Sequence, residues 1–253
     1  MIQGALMAVI GLVFVLAFVF SMLGLGGALL YIPVFHWFGY DFKSVAIPTG
    51  LFLNGLTALS ASVYYLRSRM VDVKGSVPMI VTSFIGAPLG AWCTHWVPTR
   101  VLILLFAIGM LAAGARMWSA AGQTEPTKLA PFRRRAVTTG IAGLFIGFLA
   151  GLLGIGGGFL FVPILLALGY PTKTAAATSA FIVIFSSFSG FAGHATEGHY
   201  SWPLLLGSSV AVIVASLAGA KVMRDKMKAT WIKRIFGALL VGVALKLAWP
   251  MLP

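Results

Sequence analysis

Eight apolar runs, at about 4–23, 44–66, 76–97, 101–119, 136–153, 174–195, 202–223 and 230–249, constrain this chain more than any other feature. Each approaches the roughly 20 residues that an α-helix needs to cross the hydrocarbon core of a bilayer. Only 9% of the residues are charged, against about 25% in a soluble globular domain, so the runs belong in lipid. The first run has no basic stretch before it and no small-residue cleavage site after it, so it reads as a retained first helix. Two shorter apolar pieces, at about 28–39 and 158–169, each follow a glycine cluster. A helix of about 12 residues reaches only about 18 Å, short of a full crossing. The expected architecture is an all-α polytopic membrane protein of about ten segments, two of them short or broken.

Part of the sequence occurs twice. Displaced by 130 residues, LGLGGALLYIPVFHWFGYDFK (23–43) aligns with LGIGGGFLFVPILLALGYPTK (153–173). Leu23, Gly24, Gly26, Gly27, Leu30, Pro33, Gly39, Tyr40 and Lys43 each meet an identical residue there. Apolar composition alone would not bring Gly, Pro, Tyr and Lys into register together. The chain therefore divides into a first membrane repeat, 1–119, a linker, 120–135, and a second repeat, 136–253. The linker, AAGQTEPTKLAPFRRR, holds Pro126, Pro131 and the run Arg133, Arg134, Arg135, and reads as cytoplasmic. The short segment of each repeat either crosses or pairs with its predecessor as a hairpin. The number of crossings per repeat is odd in both cases, so two five-helix repeats must be inverted relative to one another.

The loop charges follow that inversion. Formal net charge is +13, from 18 Lys+Arg and 5 Asp+Glu. In a membrane protein such an excess marks cytoplasmic loops, and no nucleic-acid partner is inferred from it. The loop after the third segment holds Arg67, Arg69 and Lys74, whereas its twin has no Lys or Arg and contains Glu197. The loop after the fourth segment has only Arg100, whereas its twin region holds Lys221, Arg224, Lys226, Lys228, Lys233 and Arg234. This puts 67–75, 120–135 and 221–234 in the cytoplasm and both termini outside, with the cell's inner membrane as the expected location.

Inverted repeats with broken helices are a transporter design, in which substrate binds near the midplane where half-helix ends converge. The clusters Gly24, Gly26, Gly27 and Gly154, Gly156, Gly157, Gly158 are the natural break points. Glycine lets the backbone turn sharply and brings bare N–H groups close to a ligand. The helix after each cluster offers unpaired N–H donors and a positive dipole end. Two such ends facing each other would hold a small anion without a charged side chain. The competing reading is close helix packing through small residues. Pro33 and Pro163 interrupt the short helices identically and read as kinks.

The helix after each short piece carries a polar stripe at 3.6-residue periodicity. In the second half Ser179, Ser186, Gly190 and Gly193 form it, flanked by Thr178, Ser187 and His194. In the first half Thr49 and Ser60 match it, flanked by Thr57 and Tyr64. Hydroxyls donate to oxyanions without the cost of a buried charge, or else bond neighbouring helices. Asn54 lies off the stripe and stays outside the expected site. Lys43 and Lys173 are equivalent, as substrate vestibule or as topology anchors. His194 binds substrate, carries a proton, or is a structural histidine near a membrane end, before Glu197 and His199.

Asp41, Asp72, Glu125, Glu197 and Asp225 all fall in loops or at helix ends. Cation carriers and proton pumps usually keep a carboxylate within a span, and a buried enzyme needs carboxylates, a nucleophile–base pair or a ligand cluster. Cys93 is alone, and His36 and His95 form no pattern, so no disulfide, metal site or cofactor is expected. An enzyme is not expected either.

The segment GLLGIGGGFLFVPILLALGYPTKTAAATSAFIVIFSSFSGFAGH, 151–194, resembles the TauE/SafE family of sulfite and organosulfonate exporters. A weaker copy stands in the first half, and the two-repeat layout covers essentially the whole chain. The resemblance implies pore-region roles for Gly156, Gly157, Gly158, Thr178 and Ser179. The first half departs from the pattern: Ala28 replaces the third glycine, Pro48 the threonine and Thr49 the serine, and Tyr64 stands where His194 stands. The half-sites are therefore inequivalent, and the second half is the better candidate for substrate contact. The expected function is export of a small sulfur-containing anion. The expected binding set is Gly26, Gly27, Lys43, Thr49, Gly156, Gly157, Gly158, Lys173, Thr178, Ser179, Ser186 and His194, with the anion and the bilayer as partners. The alternative is proton-coupled import of a small organic or sulfur-containing anion, with His194 in the proton path.

Overall fold

A computed structural model describes residues 2–94, 96–122, 124, 125, 128–194 and 200–248. They form ten α-helices: α1 Ile2–Leu23, α2 Ala28–Trp37, α3 Ile47–Arg67, α4 Val73–Cys93, α5 Thr99–Ala120, α6 Phe132–Leu153, α7 Gly158–Ala167, α8 Thr172–His194, α9 Trp202–Asp225 and α10 Ala229–Ala248. The all-helical reading holds, and the two short helices, α2 and α7, have 10 residues each. A single wide π turn, Phe42–Ala46, leads into α3 and went unforeseen in the sequence. Asp41 opens that turn, its carboxylate accepting the Ser44 N–H at 2.8 Å.

Among the described residues, α1, α3 with its π turn, α4, α6, α8 and α9 are long and apolar enough to cross a bilayer. The other two long runs form α5 and α10, of 22 and 20 residues, which pack on one another. Helix α6 begins at Phe132, so Arg133, Arg134 and Arg135, read as linker, lie in its first turn. Pro131 at its N-cap has no N–H to lose there. Residues 123, 126 and 127 of the linker, together with His95, Glu197 and His199, lie outside the described residues.

Small residues decide how the helices meet. Gly86 and Gly90 of α4 lie against the backbone of Leu144, Phe148 and Leu152, and Gly147 and Gly151 of α6 lie against Ser83 and Ala87. A methyl group at any of them would meet backbone, so α4 and α6 touch main chain to main chain, as membrane helices do through small residues. Met79 with Gly143, Ser83 with Gly147 and Ala87 with Gly151 rise together, so this pair is parallel. Gly207 against Ile10 and Gly219 against Ser21 make α1 and α9 parallel too. Helices α3 and α8 run antiparallel, with Leu51 beside Gly190 and Asn54 beside Ser187. Helices α5 and α10 do the same, with Gly114 beside Val241 and Gly237 beside Trp118.

Exchanging the halves turns one contact into another: α4–α6 into α9–α1, and α4–α8 into α9–α3. The backbone repeats as well. The φ angles of Gly24, Gly26 and Gly39 are 71°, 80° and 86°, and those of Gly154, Gly156 and Gly169 are 75°, 69° and 88°. Helices α3 and α8 occupy the middle. Of their spans 72% and 67% of residues are buried, against 39–44% for the others, so it is these two polar-striped helices that neighbours shield from lipid.

Candidate functional site

Helices α1 and α6 stop at Leu23 and Leu153, and each chain then makes a glycine loop into a short helix. Every residue from Ser21 to Leu29 and from Gly151 to Phe159 is buried. The two loops meet. Gly158 lies against the Leu25 carbonyl, Gly24 against the Ala176 carbonyl of α8, and Gly26 and Gly156 both against Asn54. The starts of α2 and α7 therefore converge in the interior, each bringing its first N–H groups and the positive end of its dipole. Position 156 requires glycine on two counts: its φ is 69°, and a Cβ there would overlap Asn54 Nδ2 and Ser187 Oγ.

Asn54, which falls outside the expected site, is the residue around which this centre is built. Its Oδ1 accepts the N–H of Gly27 and, at 2.7 Å, that of Ala28, so it caps α2 from a neighbouring helix. Its Nδ2 donates to Ser187 Oγ at 2.6 Å, joining α3 to α8 across the two halves. Two backbone donors on one side fix which end of the amide is oxygen. The side chain is fully buried. The repeat places Ile184 at the equivalent position, so α7 receives no such amide. A signal was present in the sequence: Asn54 is the only asparagine in 253 residues, and it sits within an apolar run, where an amide must find partners.

The second-half hydroxyls reach the same loops. Ser179 Oγ donates to the Gly24 carbonyl at 2.9 Å and lies 3.3 Å from that of Gly158, touching both loops at once. Ser186 donates to the Gly156 carbonyl at 2.7 Å. Their protons are engaged by loop carbonyls, so in this arrangement they fix the loops' shape. Thr49, the counterpart of Ser179, is 1% exposed and its hydroxyl has no hydrogen-bond partner among the described residues. Gly27 backs onto the Tyr31 ring, whose hydroxyl meets Thr57 at 3.1 Å, and Gly157 lies against Ile146 and Phe161.

The remaining expected residues make their hydrogen bonds at other places. His194 is buried, with Nε2 3.0 Å from the Gly151 carbonyl at the end of α6. The Lys43 ammonium donates to the Thr94 carbonyl at 3.3 Å, and the Lys173 ammonium to the Arg224 carbonyl at 2.8 Å. These are equivalent places, the C-terminal ends of α4 and α9, where a cation complements the dipole. Thr178 faces the α3–α4 loop, its Oγ1 accepting the Asp72 N–H at 3.1 Å.

Charge gathers near the start of α8. Partial burial pushes the Asp72 carboxyl up, but hydrogen bonds from Gly75 N–H, Tyr170 and Arg135, with the Arg135 charge, outweigh it and hold the group below the usual carboxylate range. Burial first, then Asp72, push the Tyr170 hydroxyl up to about 12 against the opposing effect of Arg135. Burial likewise pushes Glu125 up, and bonds from Thr172 and Lys233 bring it below its ordinary value. Among the described residues no three His, Cys, Asp or Glu side chains stand close enough to hold a metal ion.

The family described as Sulfite exporter TauE/SafE matches residues 9–247. The probable membrane transporter protein YunE of Bacillus subtilis is 29% identical over 252 residues, spanning 90% of this chain and 92% of that protein. A probable membrane transporter protein of Xylella fastidiosa is 24% identical over 254 residues, spanning 97% and 95%. Sulfite exporter TauE/SafE family protein 2 of Arabidopsis thaliana is 37% identical over 84 residues, 33% of this chain and 18% of that protein. No solved structure matches.

Proposed function

The chain belongs to the TauE/SafE family of membrane transporters, and we propose that it exports a small sulfur-containing anion, sulfite or an organosulfonate, across the inner membrane. One observation carries this reading: two helix N-termini converge on Asn54 and Ser179 in a buried interior. Oriented N–H groups and dipole ends suit an oxyanion, which needs donors and no countercharge. Gly26, Gly27, Thr49, Gly156, Gly157, Gly158, Ser179 and Ser186 line or shape this centre in the proposed site, and Thr178 stands beside it, on the side of the α3–α4 loop.

The antiparallel crossings of α3 with α8 and of α5 with α10 support reading the halves as inverted repeats. Two such repeats rock against one another to expose a central site to each side in turn. Export needs no coupling ion. A membrane potential, negative inside, is worth about 2.3 kcal/mol per charge per 100 mV, so anion efflux runs downhill. The basic loops 67–75, 120–135 and 221–234 face the cytoplasm on this reading.

The test is sulfite efflux from loaded proteoliposomes under an imposed potential, against protein-free vesicles. Potential-driven efflux that falls when Thr178→Val and Ser179→Ala remove the hydroxyls supports the reading. Parental flux in those variants at normal expression refutes their role, and no flux from folded, inserted protein refutes sulfite. A second reading, proton-coupled import, draws on the buried imidazole of His194 against the end of α6. Uphill uptake driven by a pH gradient and lost in His194→Ala would put that reading first.

A further inference from the structure

Asp72, in the loop between α3 and α4, reaches into the second half with side chain and backbone together. Its Oδ2 accepts from Arg135 at 2.7 Å and from the Tyr170 hydroxyl at 2.8 Å, and its N–H donates to Thr178 Oγ1 at 3.1 Å. Arg135 also bonds the Tyr170 hydroxyl at 2.6 Å and lies over that ring, 5.3 Å from its centroid. The Gly75 N–H holds the other carboxylate oxygen at 2.9 Å, fixing the acid at the start of α4. The Arg135 and Asp72 side chains are 12% and 27% exposed, so salt screens the pair only weakly. A single first-half residue is thus tied to α6, to the α7–α8 connection and to α8.

The repeat supplies a contrast. The positions equivalent to Asp72, Arg135 and Tyr170 are Trp202, Ala5 and Tyr40. Acid and base are both missing there, so the corresponding place in the other half cannot build this tie. A second ionic cluster supplies a control. Glu125 accepts the Thr172 N–H and hydroxyl, both at 2.6 Å, and pairs with Lys233 at 3.1 Å. That cluster joins the linker to α8 and α10 without reaching the first repeat.

We propose that Asp72, Arg135 and Tyr170 are the latch of a gate on the basic side of the transporter, closed in this structure, and that its release uncovers Thr178 and the glycine centre behind it. The inference rests on the alternating-access reading and not on the identity of the anion. Opening this side requires the α3–α4 loop to part from α8 and from the α7–α8 connection, and the bonds made by Asp72 are among those that parting must break, together with the bond from Arg224 to Ser68 at 3.1 Å. Charge-assisted hydrogen bonds of this kind are the strong ones. They bias the equilibrium between closed and open without touching substrate.

The experiment uses the full chain with Cys93→Ala and Thr178→Cys, in sealed vesicles exposed to a membrane-impermeant maleimide from the basic-loop side. Asp72→Asn keeps an acceptor for the Gly75 N–H but removes the charge, and it speeds labelling roughly tenfold, the population shift that loss of one charge-assisted hydrogen bond brings. Tyr170→Phe keeps the ring beneath Arg135 and speeds labelling in the same direction. Where Asp72→Asn does not fold, Tyr170→Phe decides alone. Glu125→Gln leaves the rate at the parental value. Unchanged labelling in both latch variants, or an equal rise in Glu125→Gln, overturns the latch. Sulfite flux is read separately, in protein that keeps Thr178: labelling that follows the latch while this protein carries no sulfite keeps the latch and removes the proposed substrate, whereas flux with unchanged labelling removes the latch alone.

Discussion

Replacing Asn54 by alanine strikes the bonds on which the centre depends. The side chain is fully buried, caps the N–H groups of Gly27 and Ala28, and donates to Ser187. Each buried group left without a partner costs about 1–3 kcal/mol, and loss of a helix cap about 1 kcal/mol. These costs overlap, because the cap and the two N–H groups are the same interaction, and together they come to about 3–5 kcal/mol. For a chain of this length 1 kcal/mol moves the melting temperature by roughly 2–4 °C, so a fall on the order of 10 °C is expected. Thermal unfolding in detergent, followed by size exclusion, measures it. Asn54→Asp separates structure from function. It keeps the acceptor for both N–H groups, and Ser187 can turn its own proton toward the carboxylate, so most of the cap survives. Its negative charge would occupy the proposed anion site, so flux is expected to fall further than stability does. An Asn54→Ala protein that melts within about 2 °C of the parent refutes the capping argument. An Asn54→Asp protein that carries sulfite at the parental rate removes this centre as the anion site.

Gly156→Ala forces a methyl into Asn54 and Ser187 at a φ of 69°, whereas Gly39→Ala meets open space at a φ of 86°. The first is expected to abolish flux and lower folded yield, and the second to cost only the left-handed strain of about 1–2 kcal/mol in thermal unfolding. Lys43→Met with Lys173→Met removes cations from the ends of α4 and α9. As anchors they are worth about 0.3–1 kcal/mol each, and a roughly tenfold rise in KM for the anion would instead make them a vestibule. Asp72 has a carboxyl pKa below its ordinary value, so it contributes stability that is complete above the unfolded value of about 3.9 and is lost as pH falls through the folded one. Melting curves of the parent and Asp72→Asn, apart near neutral pH, are therefore expected to converge below about pH 4.

The fold was legible because lipid imposes simple rules. Apolar runs gave the long helices, glycine clusters gave their breaks, and the displaced copy gave matching left-handed turns at Gly24 with Gly154 and Gly39 with Gly169. The π turn at Phe42–Ala46 was not legible, since an extra residue in a helical turn leaves no mark in hydropathy. The start of α6 was misplaced because Arg133, Arg134 and Arg135 look like linker, yet a first turn at a membrane surface tolerates them. In the candidate centre, periodicity singled out Ser179 and Ser186, whose hydroxyls bond carbonyls of the glycine loops. Asn54 was missed because a stripe ranks residues within one helix. The partners of Asn54 lie on α2 and α8, the latter 133 residues along the chain. Its rarity in the sequence was a better guide than its angle on a wheel.

The duplication makes the two halves alike in backbone and unlike in chemistry. Gly27 is extended, at a φ of −163°, where Gly157 is left-handed at 79°. Ser179 has partners in both loops, whereas Thr49 has none among the described residues. Asn54 caps α2, whereas Ile184 offers α7 nothing. Two identical positive helix ends would repel across the centre and invite two anions. An amide oxygen laid on one of them satisfies it internally and leaves the other as the electropositive end. On the proposed reading, this asymmetry is what turns a symmetric pair of glycine loops into a site for one small oxyanion, held from the second half and released when the first half moves away.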